Sequence, residues 1–202
     1  MIVFIDGENF RQRLSDCLLA SGRTKKSENF KYDVAGLLRE VLNSNDLDIR
    51  YYASEIKTPV GYVPAKRVQK QINNIRSYTR KWVADIKNQG INYIKAGNLK
   101  VKEGKPCYKC RARQEHLQEK GVDVRISLDI FEASLDKNTK EIAVFSSDTD
   151  LCPAYHKIKK YGTTVKYLCF APYLNRAVSA ATTETITITA AIAAKFLKNS
   201  EL

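Results

Sequence analysis

Short apolar runs alternate along this chain with longer stretches whose apolar residues recur at helical spacing. The runs at residues 2–5, 141–146 and 164–170 are largely apolar, which is typical of strands buried on both faces. The longest helical stretch covers residues 65–89. Strands that alternate with helices favour a mostly parallel sheet with helices on both faces. We therefore predict an α/β fold with three layers.

The chain has 202 residues, a length that suits one domain with a full core over residues 1–202. Residues 97–120 are polar and basic, and we predict that they form a basic loop insertion. No apolar run approaches the ~20 residues needed to span a bilayer, so we expect no membrane partner. The first strand-like run begins at the second residue and leaves no room for a signal peptide, which favours a cytoplasmic location.

The positive charge is concentrated in the middle of the chain. The formal net charge is +12, and residues 50–125 hold 18 Lys/Arg against 6 Asp/Glu. A basic field of this kind favours a polyanion, most often nucleic acid, although a solvated helix face with a flexible loop is the alternative. The basic residues that we expect to bind such a strand are Lys66, Arg67, Lys70, Arg76, Arg80, Lys81, Arg111 and Arg113.

Four aspartates stand at predicted ends of strands or starts of helices. Asp6 ends the first run, Asp148 and Asp150 follow the run at 141–146, and Asp123 begins a helical stretch. Sites in open α/β sheets form beyond the carboxyl ends of the strands. Carboxylates gathered there suit Mg²⁺ or Mn²⁺ and metal-assisted hydrolysis of a phosphodiester. We predict catalytic roles for Asp6, Asp123 and Asp148, with Asp150 as a further metal ligand.

Each acid also has a purely structural interpretation. Asp123, Asp150 and Asn9 have the residue types of helix N-caps, and Asp6 before a glycine suits an Asx turn. The spacing of the acids alone leaves both interpretations open.

Three sequence blocks, in this order, resemble a known family: VFIDGENF, EKGVDVRISLDI and AVFSSDTDLCPAYHKIKKYGTTVKYL. Together they are similar to the NYN domain of the LabA-like group, which has the PIN-like nuclease fold. The resemblance covers most of the chain. It implies a Rossmann-like sheet, a divalent metal and cleavage of single-stranded RNA, and hence an Mg²⁺- or Mn²⁺-dependent endoribonuclease.

On this resemblance the family's site positions fall on Asp6, Asn9, Asp123, Asp129, Ser146, Ser147, Asp148, Thr149 and Asp150. Asn9, Ser146, Ser147 and Thr149 are expected to donate hydrogen bonds to phosphate or to metal-bound water. Asp129 lies six residues after Asp123, about 240° around a helix, so a supporting role suits it better than metal ligation. The chain departs from the family with Ser147 in place of glycine and Leu151 in place of phenylalanine. Near its end the family often has an A-D-x-F-like element, where this chain has Thr182-Thr183-Glu184-Thr185 instead.

A half zinc site is present at Cys107 and Cys110, with His116 nearby. Structural zinc normally takes four ligands, so Zn²⁺ is less favoured here than two reduced thiols or an oxidised pair. A fourth ligand from a second subunit would require a homodimer. The scattered cysteines do not favour a disulfide framework.

Two other functions remain open at this point. The first is an inactive NYN module that binds RNA or a protein partner. The second is a phosphatase of the haloacid dehalogenase type, but that family needs D-x-D after the first strand and Glu8 occupies the second acidic place. An NTPase is disfavoured because the chain has no G-x-x-x-x-G-K-[ST] loop.

Overall fold

A seven-stranded sheet organises the molecule, seen in a computed structural model that describes residues 1–22, 31–58, 61–106 and 108–198. Its strands are β1 (Ile2–Asp6), β3 (Asp48–Ile56), β4 (Asn92–Glu103), β5 (Glu115–Lys120), β6 (Glu141–Phe145), β7 (Thr164–Phe170) and β8 (Glu184–Ile188). They lie in the order β5-β4-β3-β1-β6-β7-β8, and every neighbouring pair is parallel except β4 and β5. A separate antiparallel pair joins β2 (Lys31–Tyr32) to β9 (Leu197–Lys198).

Helices cover both faces of the sheet. They are α1 (Gly7–Ala20), α2 (Val34–Leu42), α3 (Lys66–Asn88), α4 (Val122–Leu135), α5 (Cys152–Lys159), α6 (Arg176–Ala181) and α7 (Ala190–Lys195). Side chains alternate along β1, so Val3 and Ile5 share a core with α1, α2 and α3, while Phe4 shares one with α4, α5 and α6. The predicted three-layer α/β architecture is confirmed. Within the described residues no helix is long and apolar enough to cross a membrane.

The turn from β1 into α1 is held by a close backbone approach. A side chain at Gly7 would begin 2.3 Å from the Tyr51 ring, which only glycine avoids. The Tyr51 hydroxyl donates to Gly7 O at 2.7 Å and accepts from Trp82 Nε1 at 2.9 Å. Trp82 is buried, as expected for a core residue. These contacts fix the backbone beside Asp6 and place Trp82 of α3 level with the end of β1.

The predicted loop over residues 97–120 is wrong for most of its length, because β4 continues to Glu103 and β5 returns antiparallel to it. We call residues 98–120 the arm. Ile94 lies level with Asp6 through Tyr52, so β4 extends roughly 30 Å beyond the end of β1 at ~3.3 Å per residue. The strands were missed because most residues of this hairpin are polar or charged, and Leu99, Val101 and Leu117 are the only large aliphatic residues in it.

Helix α3 runs beside the arm. Its N-terminal end meets the far part of the arm, where Glu115 accepts hydrogen bonds from Ala65 N at 2.7 Å and from the Tyr62 hydroxyl. Its C-terminal end lies just before the start of β4. Residues 66–81 therefore lie on the arm side of Trp82, beyond the carboxyl ends of the central strands.

Candidate active site

Asp6 lies at the junction of β1 and α1 and is only 7% exposed. Its carboxylate accepts hydrogen bonds from Asn9 N at 3.2 Å and from Ser146 Oγ at 3.1 Å. Burial raises the pKa of Asp6 to about 6 in spite of these bonds, and the negative charges of Asp123 and Glu119 raise it further. Asp6 is thus a helix N-cap and also a carboxylate whose ionised form is disfavoured by burial.

The loop after β6 is tied to the end of β1. Ser146 Oγ accepts from Asp148 N at 3.2 Å, and Asp148 Oδ1 accepts from Asp150 N at 2.8 Å. Asn9 Oδ1 accepts from Ser147 N at 3.3 Å. Asp148 caps the short 3-10 turn Thr149–Leu151. This network brings the ends of β1 and β6 together, as the parallel pairing of the two strands requires.

Tyr167 and Asn175, which the sequence did not indicate as site residues, hold the same loop from the β7 side. Ser147 Oγ shares a hydrogen bond with the Tyr167 hydroxyl at 3.0 Å, and Ser147 O accepts from Asn175 Nδ2 at 2.8 Å. Asn175 also caps α6 through its side-chain oxygen. The position of Asn175 between β7 and a helix was the available signal. The side chain of Ser147, at a position where the resemblance implies glycine, therefore adds a contact to Tyr167.

Asp123 approaches the same edge from the first turn of α4, where Gly121 rather than Asp123 is the N-cap. Burial raises the pKa of Asp123, and the negative charges of Asp148 and Asp150 raise it further. The negative charge of Asp123 in turn raises the pKa of Asp6. The predicted acids Asp6, Asp123, Asp148 and Asp150 are therefore close enough for their charges to influence one another.

Glu119 is a fifth acid at this edge, and the sequence interpretation missed it. It lies on β5, where its Oε2 accepts a hydrogen bond from Ser54 Oγ at 2.7 Å. Burial raises the pKa of Glu119, and the charges of Glu8 and Asp123 raise it further, while the bond from Ser54 lowers it. In the sequence, Glu119 lies four residues before Asp123, which could have indicated a place near the site. Residues 97–120 were predicted as a loop, so this proximity carried no weight.

Comparison with known proteins shows the family to which the chain belongs. The family model for the NYN domain matches residues 1–189. The chain belongs to the NYN domain family. A solved structure of a protein of unknown function from Vibrio parahaemolyticus RIMD 2210633 aligns over 98% of this chain and 94% of that one, with a TM-score of 0.53 and 17% identity. That likeness shows the fold alone. No curated protein matches the chain.

NYN domains are generally ribonuclease-like nucleases and typically depend on a divalent metal. In the described part of this NYN domain, no three His, Cys, Asp or Glu side chains are arranged to bind one ion directly. The donor chemistry nevertheless fits a hydrated hard cation, which keeps several waters between itself and its ligands. Asp6, Asp123 and Asp148 form no ion pair with any described Lys or Arg.

A buried hydroxyl supports the same fit. Tyr155 of α5 is fully buried, and its hydroxyl has no hydrogen-bond partner among the described residues. The charges that act on this hydroxyl include those of Asp6 and Asp148. Because buried polar groups are nearly always hydrogen-bonded, an unpaired donor near carboxylates fits a site that holds ordered water or an oxygen-rich ligand.

Asp129 is not brought together with the other acids. Its Oδ2 accepts from the Tyr52 hydroxyl at 2.8 Å, and its Oδ1 forms an ion pair with Arg125 Nε at 2.8 Å. It lines a polar cavity of about 410 Å³ that also includes Ile2 and Asn92, at the starts of β1 and β4. In this NYN domain Asp129 therefore lies toward the amino edge of the sheet, where its charge is neutralised within the fold.

The candidate RNA-binding residues lie on two adjacent elements. Six of them, from Lys66 to Lys81, are exposed on α3 on the arm side of Trp82, and Arg111 and Arg113 are exposed on the arm. A cavity of about 440 Å³ lies between the two elements and is lined by Arg67 and Arg113, among others. The basic surface thus projects past the acidic edge.

The predicted zinc site remains a prediction, because Cys107 lies outside the described residues. Cys110 is a free, exposed thiol beside the hairpin turn. His116 lies on β5 opposite Lys102.

Proposed function

We propose that this NYN domain is a Mg²⁺- or Mn²⁺-dependent endoribonuclease of the LabA-like group that hydrolyses single-stranded RNA at the carboxyl edge of its sheet. The observation that carries the proposal is Asp6, a buried carboxylate that shares its surroundings with Asp123 and Glu119. Such a group is unfavourable in isolation and suits a bound cation. Family membership supplies the reaction class.

Asp6, Asp123 and Asp148 are the residues that would hold the metal, with Asp150 adjacent. A bound divalent ion supplies polarisation of the scissile phosphate and a more acidic water. Asn9 uses its side-chain oxygen to accept from Ser147 N, which leaves its amide Nδ2 as a donor toward phosphate. Ser146 orients Asp6 and Asp148 together through its hydroxyl. Thr149 begins the 3-10 turn Thr149–Leu151, in which Asp150 is exposed.

The arm and the N-terminal part of α3 are proposed to bind the RNA backbone. Arg67 and Arg113 line the cavity between the two elements, so one strand can contact both. Tyr108, at the turn of the arm, is 83% exposed and packs with Lys109, an arrangement that suits base stacking. Because phosphate contacts give affinity without sequence specificity, this surface suits strands of varied sequence.

The direct test is the double variant Asp6→Asn with Asp148→Asn, assayed on end-labelled single-stranded RNA in Mn²⁺. We expect cleavage to fall at least about 100-fold, because two carboxylates that hold the cation are removed. Asp46→Asn, at an exposed position before β3, is the matched control and should cleave at the wild-type rate. Undiminished cleavage by the double variant would show that the proposed site is wrong.

An inactive NYN module that binds RNA or a protein partner is the second candidate. It is favoured by the lack of three described side chains arranged around one direct-coordination site. Turnover of RNA that begins on addition of Mn²⁺ and stops with a chelator would exclude it. A cytoplasmic location and a homodimer also remain proposals, and the mass of the protein in solution tests the latter.

A further inference from the structure

The base of the arm carries a carboxylate that is directed toward the acidic edge. Glu119 pairs with Leu99 across β5 and β4, yet its carboxylate reaches Ser54 on β3, the next strand over. Ser54 itself pairs with Gly97 of β4. The Glu119 side chain therefore crosses β4 toward β3, the strand that neighbours β1.

Glycine at position 97 permits this geometry. A side chain there would begin 2.7 Å from Lys120 O and 2.7 Å from Val122 Cγ2. Without one, the end of β5 and the start of α4 lie directly against β4. Glu119 and Asp123, which flank this contact on either side of Gly121, are thereby held at the same edge as Asp6.

Glu119 differs from the other acids of this part of the sheet because it has no cationic partner among the described residues. Glu55 pairs with Lys95 at 2.6 Å, and Glu103 pairs with Arg113 at 3.5 Å. Glu119 has one hydrogen bond, from Ser54, and its charge acts on Asp6. Glu119 is exposed and lies near other carboxylates without a described basic partner, so its charge is available to bind a hard cation shared with those acids.

We infer that Glu119 is a further ligand for the divalent cation, direct or through a metal-bound water, and that Ser54 is its positioning residue. This inference rests on the proposed function, since it concerns the same cation. It links metal binding to the arm. A cation that draws Glu119 toward Asp123 also fixes the base of the hairpin that is proposed to grip the RNA.

The test is titration of Mn²⁺ into the metal-free full chain, with free Mn²⁺ followed by electron paramagnetic resonance. We expect Glu119→Gln to weaken Mn²⁺ binding roughly 10-fold or more, the range usual for residues that support a metal site. Glu55→Gln is the matched control. It removes the carboxylate of the residue next to Ser54. The Glu55 side chain projects from the opposite face of the strand to that of Ser54. It should bind Mn²⁺ as the wild type does.

A second variant keeps the test decisive if Glu119→Gln folds poorly. Ser54→Ala leaves every carboxylate in place and removes only the hydrogen bond that orients Glu119, so a smaller loss of Mn²⁺ affinity is expected. Wild-type affinity in both variants would overturn the inference. Wild-type protein that binds Mn²⁺ but does not cleave RNA would overturn the proposed function and leave the role of Glu119 standing. Wild-type protein that binds no Mn²⁺ would overturn both.

Discussion

The two edges of the sheet treat their charged residues in opposite ways. At the amino edge, acids are neutralised by neighbours: Asp48 pairs with Arg50 at 2.7 Å, and Asp129 pairs with Arg125 at 2.8 Å. At the carboxyl edge, Asp6 and Asp123 have no described cationic partner and their pKa values are raised. Asp123 and Asp129 lie on the same helix, α4, so residue type and local structure do not explain the difference.

The presence or absence of a cationic partner separates structural from functional carboxylates in this fold. A buried acid with a cation and a hydrogen-bond donor contributes to stability, because its charge is satisfied in the folded chain. A buried acid among other acids reduces the stability of the chain alone and is useful only when a ligand binds. Substitutions at the two edges should therefore have opposite effects on folding and on activity.

The largest effect is expected when Asp123→Asn is compared with Asp129→Asn. Asp123→Asn should reduce RNA cleavage about 100-fold and leave the unfolding free energy unchanged or higher, because it removes an unpaired charge. Asp129→Asn should retain most activity and lower the unfolding free energy by about 1 to 2 kcal/mol, since Arg125 is half exposed and its ion pair is partly screened. Cleavage rates and urea unfolding of both variants measure this. Equal loss of activity in the two would break the distinction between the edges.

A pH-dependent loss of stability is expected from Asp6. Its pKa of about 6 in the folded chain exceeds the ordinary aspartate value of 3.8, so the folded state holds the proton more tightly. The contribution is complete below about pH 4 and is lost as the pH rises through 6, a change of roughly 3 kcal/mol. Asp6→Asn keeps a good N-cap residue and removes this dependence.

The measurement is urea unfolding of metal-free wild type and Asp6→Asn between pH 4 and pH 8. The variant should gain stability relative to the wild type as the pH rises. Saturating Mn²⁺ should reduce that gain, because a cation that binds only the folded wild-type protein stabilises it. A constant difference between the two proteins across the range would show that Asp6 ionises freely.

The smallest effect concerns the basic surface beyond the carboxyl edge. Arg67→Gln with Arg113→Gln should reduce the slope of log affinity against log salt by about 0.7 for each phosphate that is no longer neutralised. Lys137→Gln with Lys140→Gln removes the same charge near the amino edge and should leave the slope unchanged. Fluorescence anisotropy of labelled single-stranded RNA at several salt concentrations provides the measurement. Equal slopes for the two double variants would show that α3 and the arm do not bind the RNA backbone.

The sequence was most informative where burial dictates the pattern. The strand that ends at Asp6 is buried on both faces, so its apolar run and the site after it could be predicted together. The helix 65–89 was found as α3 (Lys66–Asn88) for the same reason, since Val68, Ile72 and Ile86 form one buried stripe.

The arm could not be predicted because its strands bury little. Leu99, Val101 and Leu117 are its only large aliphatic residues, so the alternation at Leu99-Lys100-Val101-Lys102 is too short to outweigh the polar composition of residues 97–120. Glu119 was missed along with the arm, since its role depends on crossing β4. The unpaired hydroxyl of Tyr155 was also beyond reach, because no sequence pattern reports a missing hydrogen bond.

The contact that fixes Gly7 has a practical consequence. The chain has a single tryptophan, Trp82, and its indole is joined to the backbone beside Asp6 by two successive hydrogen bonds through Tyr51. A rearrangement of that turn is expected to change the polarity around this indole, which can be excited selectively and has no background from other tryptophans. The protein therefore contains its own optical reporter for events at the strand end, and no label has to be attached to follow them.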